Sequence, residues 1–384
     1  MESWALIPIG VYLLVKIVES LVHHRLLKRV PLRIYVNGTR GKSQTTELIT
    51  YGLQAAGIKT LGKVTGSVPT LLHTDGRRTE IKRIAPTSIR EQQWVIGQAA
   101  QEGAQVLVLE CMAIHPELQR ASERRMVRSQ IGIITNVRPD HTDLLGESGE
   151  AIAHALTCTI PSHGTLFTAE ETHRTILAQE TEKRGTRLVP VSVDNQLDRT
   201  VEERMPEWVH AENLSLALAV CEHIGARRDA ALDGMLSMTS VPGSFRIIRL
   251  AVNGRSIYFA NAFSGNDPIS TGIMLEKTLS ALGEERSLVG LFNHRKDRFY
   301  RAQTFVKFAR KAQFNRLFLI GDNLPHSHRL FPGSTDLSAV DRVAPLWERI
   351  ECEIEDGSIV FGFGNIAGIA LELNEYLQRI GEEA

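Results

Sequence analysis

Cysteine is scarce. Its four copies, Cys111, Cys158, Cys221 and Cys352, form neither a CxxC pair nor a Cys/His zinc spacing. That excludes a disulfide framework and a structural zinc site, and reads as reduced thiols in a cytosolic compartment. A basic excess is missing too: Lys plus Arg equals Asp plus Glu at 44 each, which argues against a nucleic-acid partner. No internal repeat, low-complexity stretch or charged tail interrupts the chain. With 43% apolar and 23% charged residues, disorder, a collagen-like rod and a polytopic membrane protein are excluded. What remains is a globular chain of 384 residues. At about 150 residues per domain it holds two or three domains.

Composition shifts sharply at the start. Residues 3–22 are apolar or small apart from Lys16 and Glu19, and His23, His24, Arg25, Lys28 and Arg29 follow. About 20 residues at ~1.5 Å each match a ~30 Å hydrocarbon core. A cleaved signal peptide fits poorly, because the charges follow the apolar run and no A-x-A site is evident. A helix packed on the protein itself is the alternative. The expectation is an N-terminal transmembrane or anchor helix within residues 1–30, single-pass in the cell membrane. The positive-inside rule then puts the catalytic domain in the cytoplasm.

Beyond Pro31, strands expected at 32–37, 58–64, 106–110, 131–137, 164–169 and 187–193 alternate with helical segments. This βαβ alternation predicts a doubly wound, mainly parallel sheet covered on both faces. A turn at 241–245 marks a boundary, and the alternation then restarts. The expected domains are therefore 1–30, 31–242 and a smaller C-terminal α/β domain, 243–384.

Asn37-Gly38-Thr39-Arg40-Gly41-Lys42-Ser43 follows a β-run and opens a helix, the setting a phosphate loop requires. Glycines let backbone amides curl around a polyphosphate, and the helix N-terminus adds partial positive charge. Lys42 can reach the terminal phosphates and Ser43 can ligate Mg²⁺, so ATP is the expected nucleotide. The spacing departs from G-x-x-x-x-G-K-[ST], since only Thr39 and Arg40 separate Gly38 from Gly41. Glu110 ends a fully apolar strand, where ligands bind in open parallel sheets, and is a candidate hard-oxygen ligand. A capping or ion-pair role would account for it equally well. The next strand ends in Asn136-Val-Arg-Pro-Asp140-His141-Thr-Asp143, where His141 is a candidate metal or phosphate contact.

Together, G-T-R-G-K-S, Glu110 and T-N-x-x-x-D-H-x-D resemble the Mur ligase superfamily of ATP-dependent amide ligases. V-N-G-T-R-G-K-S (36–43), G-K-V-T-G (62–66), L-E-C-M-A (109–113), P-G-S-F-R-I (242–247) and N-A-F-S-G-N-D (261–267) resemble, within it, the poly-γ-glutamate synthase (PgsB/CapB) family. The resemblance spans essentially the whole chain and implies a P-loop ligase domain with a smaller C-terminal α/β domain. It implies nucleotide contacts from Gly38, Thr39, Arg40, Gly41, Lys42, Ser43 and Gln44, with Asn213 at the base, Arg246 on the γ-phosphate, and Asn266 and Asp267. It implies metal ligation by Ser43, Glu110 and His141, with catalysis by Lys42, Glu110, His141 and Arg246. Many Mur ligases carry a carbamylated lysine supporting a second Mg²⁺, but residues 142–182 contain no lysine. A UDP-binding N-terminal domain is also missing, which argues against a UDP-sugar substrate.

The implied activity is ATP- and Mg²⁺-dependent polymerisation of glutamate through a γ-glutamyl acyl phosphate at the cytoplasmic membrane face, as in capsule synthesis. Implied partners are glutamate, the growing poly-γ-glutamate and an integral-membrane synthase or export subunit (PgsC/CapC-like); a homo-oligomer is an open possibility. A folylpolyglutamate-like ligase using a discrete acceptor, and a non-catalytic ATP-binding subunit, are the alternatives.

Overall fold

The computed structural model describes residues 7–66, 68–83, 87–139, 142–146, 148–193, 197, 199–206, 209–238, 245–252, 254–265, 267–296, 299–322 and 327–383. The chain divides into two compact units, Met1–Met238 and Thr239–Ala384.

In the first unit the strands are β1 (Leu32–Asn37), β2 (Thr60–Val64), β3 (Thr70–Leu72), β4 (Arg78–Glu80), β5 (Val106–Glu110), β6 (Ile131–Ile134), β7 (Thr165–Thr168) and β8 (Arg187–Pro190). They form one sheet in the order β4-β3-β2-β5-β1-β6-β7-β8. The run from β2 to β8 is parallel, and β3 and β4 add an antiparallel hairpin at the edge. That hairpin is absent from the sequence reading, because β3 and β4 are three residues each and carry no alternation to detect.

Period-2 sidedness divides the core. Ile34, Val36, Val106 and Val108 face the helices Lys42–Ala55 and Ala211–Ile224, while Tyr35, Leu107 and Leu109 face helix Glu91–Gln101. Register sets the functional rim: Val36 pairs with Glu110 and Asn37 with Ile134, so β5, β1 and β6 end level with one another.

The second unit holds β9 (Ile247–Val252), β10 (Arg255–Asn261), β11 (Leu288–His294), β12 (Arg316–Gly321), β13 (Thr335–Asp336), β14 (Ile359–Phe363) and β15 (Glu382–Glu383). Their order is β13-β12-β11-β14-β10-β9-β15, parallel except for β9 and β15. β9 also escapes the sequence reading, since the short turn to β10 hides two strands in one β-rich run.

The single-pass membrane helix is corrected by the structure. Helix Ile7–Arg29 forms, yet no helix among the described residues is long and apolar enough to cross a membrane. Two features explain it. Lys16 and Glu19, paired at 2.8 Å, interrupt the apolar run. The last turns are committed to the protein: Leu27 and Val30 are buried, and His23 Nε2 lies 2.8 Å from the Met126 carbonyl oxygen. The expected sidedness falls with the span, because the positive-inside rule orients only a helix that crosses.

Arg33 fixes the base of that helix. Its buried guanidinium donates to the carbonyls of Leu27 (3.0 Å), Val30 (2.5 Å), Val127 (2.8 Å) and Arg128 (2.9 Å). Carbonyls at two helix C-termini thus balance one buried cation. Nearby, Glu123 is buried and accepts from the Ser129 amide (3.0 Å) and hydroxyl (2.9 Å). Burial pushes its carboxyl up to about 7 from 4.5. A raised carboxyl keeps its proton on folding, so its stabilisation is full below pH 4.5 and is lost as pH rises through 7. The loss is about 3 kcal/mol. Glu123→Gln is expected to remove this decline, read as denaturation midpoints at pH 5 and pH 8 converging relative to wild type.

Candidate active site

β1 delivers the chain to Gly38, and the helix Lys42–Ala55 begins directly after Gly41. Both glycines have positive φ, +130° and +81°. A Cβ at Gly38 would sit 2.0 Å from Thr135 Oγ1, and one at Gly41 would sit 2.4 Å from Asn213 Oδ1. Only glycine fits either position, by conformation and by space.

The segment after β6 clamps this loop. Asn136 Oδ1 accepts from the Thr39 hydroxyl (2.8 Å) and the Arg40 amide (3.1 Å). Thr135 Oγ1 donates to the Arg40 carbonyl at 2.5 Å, and the Arg138 amide donates to Thr39 Oγ1 at 2.8 Å. Glu170 Oε2 holds the segment from below, accepting the Val137 amide at 2.7 Å. Sequence reasoning gave Asn136 and Thr135 no role, although T-N stood in the motif; nothing local marked Glu170.

Lys42 Nζ donates to the Gly38 carbonyl (2.8 Å) and the Thr39 carbonyl (3.3 Å) of the loop. Ser43 Oγ donates to Glu110 Oε2 at 2.9 Å, and the Thr65 amide donates to the same oxygen at 2.5 Å. The Gln92 side chain holds the Glu110 carbonyl at 3.0 Å. Glu110 is 3% exposed, so a carboxylate oxygen and a hydroxyl sit side by side at the edge of the loop. This hard-oxygen pair suits Mg²⁺, which takes few protein ligands and keeps phosphate and water for the rest. Among the described residues no group of three or more His, Cys, Asp or Glu could hold a metal by itself.

Behind Glu110 lies a charged network that sequence reasoning missed. Lys63, fully buried on β2, pairs with Glu91 at 2.8 Å, and Arg83 grips the same carboxylate at 2.7 and 3.0 Å. Burial alone would raise Glu91, but hydrogen bonds from Arg83 and Lys63 reverse this and hold it at about 2. One turn beyond Ser43, burial pushes Glu47 up to about 7 despite its contact with Arg78 at 2.7 Å.

Gln44 and Asn213 meet beneath the loop, where Gln44 Oε1 accepts from Asn213 Nδ2 (2.8 Å) and the His210 amide (3.0 Å). Gly38 to Gln44, Glu110 and Asn213 therefore converge in the first unit. Arg246 and Asp267 belong to the second unit. There Asp267 caps the helix Pro268–Leu282, accepting the Ile269 and Ser270 amides at 3.0 and 2.9 Å. Asp140, His141 and Asn266 lie outside the described residues, as does the side chain of Asp143.

Comparison with known proteins agrees with this layout. Residues 36–220 match the Mur ligase middle domain, and residues 247–380 match the poly-gamma-glutamate synthase CapB C-terminal domain. The chain is 30% identical to the capsule biosynthesis protein CapB of Bacillus anthracis, over 95% of this chain and 81% of that protein. It is 29% identical to PGA synthase CapB of Bacillus subtilis, over 97% of both. The fold is shared with a bifunctional folylpolyglutamate synthase/dihydrofolate synthase of Yersinia pestis complexed with AMPPNP and Mn ion. The TM-score is 0.70 at 16% identity, covering 94% of this chain and 91% of that one. The chain belongs to the CapB family of Mur-type ligases.

Proposed function

We propose that this chain is an ATP-dependent amide ligase that polymerises glutamate through γ-amide bonds into poly-γ-glutamate, a reading supported by the match to the poly-gamma-glutamate synthase CapB C-terminal domain and by a relative named PGA synthase CapB. The observation that carries the reading is the Ser43–Glu110 pair set against a glycine loop whose shape excludes a Cβ.

A carboxylate is a poor electrophile at neutral pH, so amide formation needs activation. ATP supplies the phosphoryl group that converts a glutamate γ-carboxylate into an acyl phosphate with release of ADP, and Mg²⁺ supplies Lewis-acid stabilisation of the phosphate oxygens. Ser43 and Glu110 would hold the metal, with His141 as a further ligand. Amides of Gly38 to Ser43 cradle the phosphates. Lys42, tethered to loop carbonyls, swings by side-chain rotation onto the transferring group. Arg246, by its match to the family motif, would supply further positive charge to the transferring group. Asn213, Asn266 and Asp267 complete the nucleotide contacts. The amine of the next glutamate attacks the activated carbonyl carbon, phosphate leaves, and the nitrogen loses a proton.

The exposed apolar residues of helix Ile7–Arg29, from Ile9 to Val22, support a partner that covers them. An integral-membrane export subunit is that partner, and self-association through the same helix is the competing result. Removal of residues 1–22 abolishes the association in either case.

Purified chain incubated with ATP, Mg²⁺ and labelled glutamate should release ADP and yield a ladder of γ-linked products. A strict requirement for an added acceptor would favour the folylpolyglutamate-like reading. No turnover with the export partner present would leave only a binding subunit.

A further inference from the structure

A basic stripe outside the catalytic rim is left without a role by the reaction. β5 and β6 both run parallel to β1, so their connection must return from the carboxyl rim to the amino rim. It does so as helix Pro116–Ala121 continued by a π-helical turn, Ser122–Val127. Arg120, Arg124 and Arg128 recur every four residues along it and are exposed. Neighbouring groups on a helix face lie about 6 Å apart.

Three observations set this stripe apart from an ordinary solvated face. Some arginines elsewhere, such as Arg78, Arg83, Arg184 and Arg204, sit within 4 Å of carboxylates, while others such as Arg286 bond backbone carbonyls instead. Among the described residues Arg120, Arg124, Arg125 and Arg128 form no such pair. A cavity of about 260 Å³ brings Arg120, Arg124 and Arg125 together against only Glu117. Arg128 takes a left-handed conformation at φ 49°, one that side-chain-bearing residues seldom adopt, and reaches within 3.4 Å of His24. A second cavity of about 330 Å³ joins Arg128 to His24 and Lys28. Crowding of several cations against a single carboxylate favours an anion at this surface.

We propose that this stripe is a guide for the polyanionic product, holding the growing poly-γ-glutamate chain as it leaves the catalytic rim. The inference rests on the polymerase reading above. The occupant follows from charge and shape. The product carries one free carboxylate per residue, and its flexible chain can follow a narrow lane whose first arginine, Arg120, lies ten residues after Glu110. A flat anionic lipid surface would meet only part of such a lane.

The test uses the full chain and a preformed fluorescent poly-γ-glutamate oligomer, without ATP, read by anisotropy at low and high salt. Wild type should bind, more weakly as salt rises. Arg120→Gln/Arg124→Gln/Arg128→Gln should lose at least about tenfold in affinity, since each exposed charge contributes a modest increment. Its initial rate of ADP release should hold while its products become shorter. Arg120→Gln/Arg124→Gln, which leaves the left-handed turn intact, should show part of the same loss. Lys42→Ala should bind the oligomer as wild type does although its turnover is lost, so the guide is tested apart from catalysis, and absence of turnover in the wild-type chain would count against the ligase reading alone. Unchanged binding in the triple variant overturns the proposal, as does a wild-type preference for phosphatidylglycerol vesicles over the oligomer.

Discussion

Lys42→Ala is expected to lower glutamate-dependent ADP release by about a thousandfold or more while leaving the melting temperature close to that of wild type. The size follows from the chemistry: a fixed charge aimed at developing negative charge in a dry site is worth about 10²–10³ in rate or more. The intact fold follows from the structure. Among the described residues the Lys42 ammonium hydrogen-bonds only the carbonyls of Gly38 and Thr39, so the substitution removes two hydrogen bonds and breaks no ion pair. The two readouts together are the check. Wild-type turnover by this variant would dismiss the phosphate-loop assignment, and a large drop in melting temperature would reassign Lys42 to a structural role.

Glu110→Gln is expected to cost about a hundredfold or more in turnover at ordinary Mg²⁺, with part of the loss recovered at high Mg²⁺. The amide keeps the shape of the carboxylate and one oxygen for the Thr65 amide or the Ser43 hydroxyl. It loses the charge that attracts a divalent cation. A Mg²⁺ titration separates the two variants: the half-saturating concentration should rise for Glu110→Gln and stay near wild type for Lys42→Ala. An unchanged Mg²⁺ dependence in Glu110→Gln would remove Glu110 from the metal site.

The phosphate loop was legible in the sequence because its information is local. Glycines that tolerate positive φ, a lysine and a hydroxyl lie within six residues between a strand and a helix, 38–43. Glu110 was legible for a related reason: an apolar five-residue strand that ends in a carboxylate points to the rim where parallel sheets bind ligands. The alternation of strands and helices gave the doubly wound character of both sheets.

Other features depended on distance in the chain. Strand order sets β5 beside β1, and this alone brings Glu110 to Ser43, 67 residues away. Asn136 braces a loop 97 residues before it, and Thr65 reaches Glu110 through a backbone amide, a donor that every non-proline residue carries and no motif can flag. The N-terminal helix satisfied a length and composition rule, yet its charged positions and its buried last turns make it something other than a span. In the crossover Pro116–Val127 the π-helical turn breaks the 3.6-residue period, and the arginine stripe became visible only once that turn was placed. Sequence alone determined the chemistry available at the loop, since covalent neighbours stay neighbours in any fold. Tertiary structure decided which distant groups meet it, because strand order and register are set by burial of the whole sheet and by no single segment.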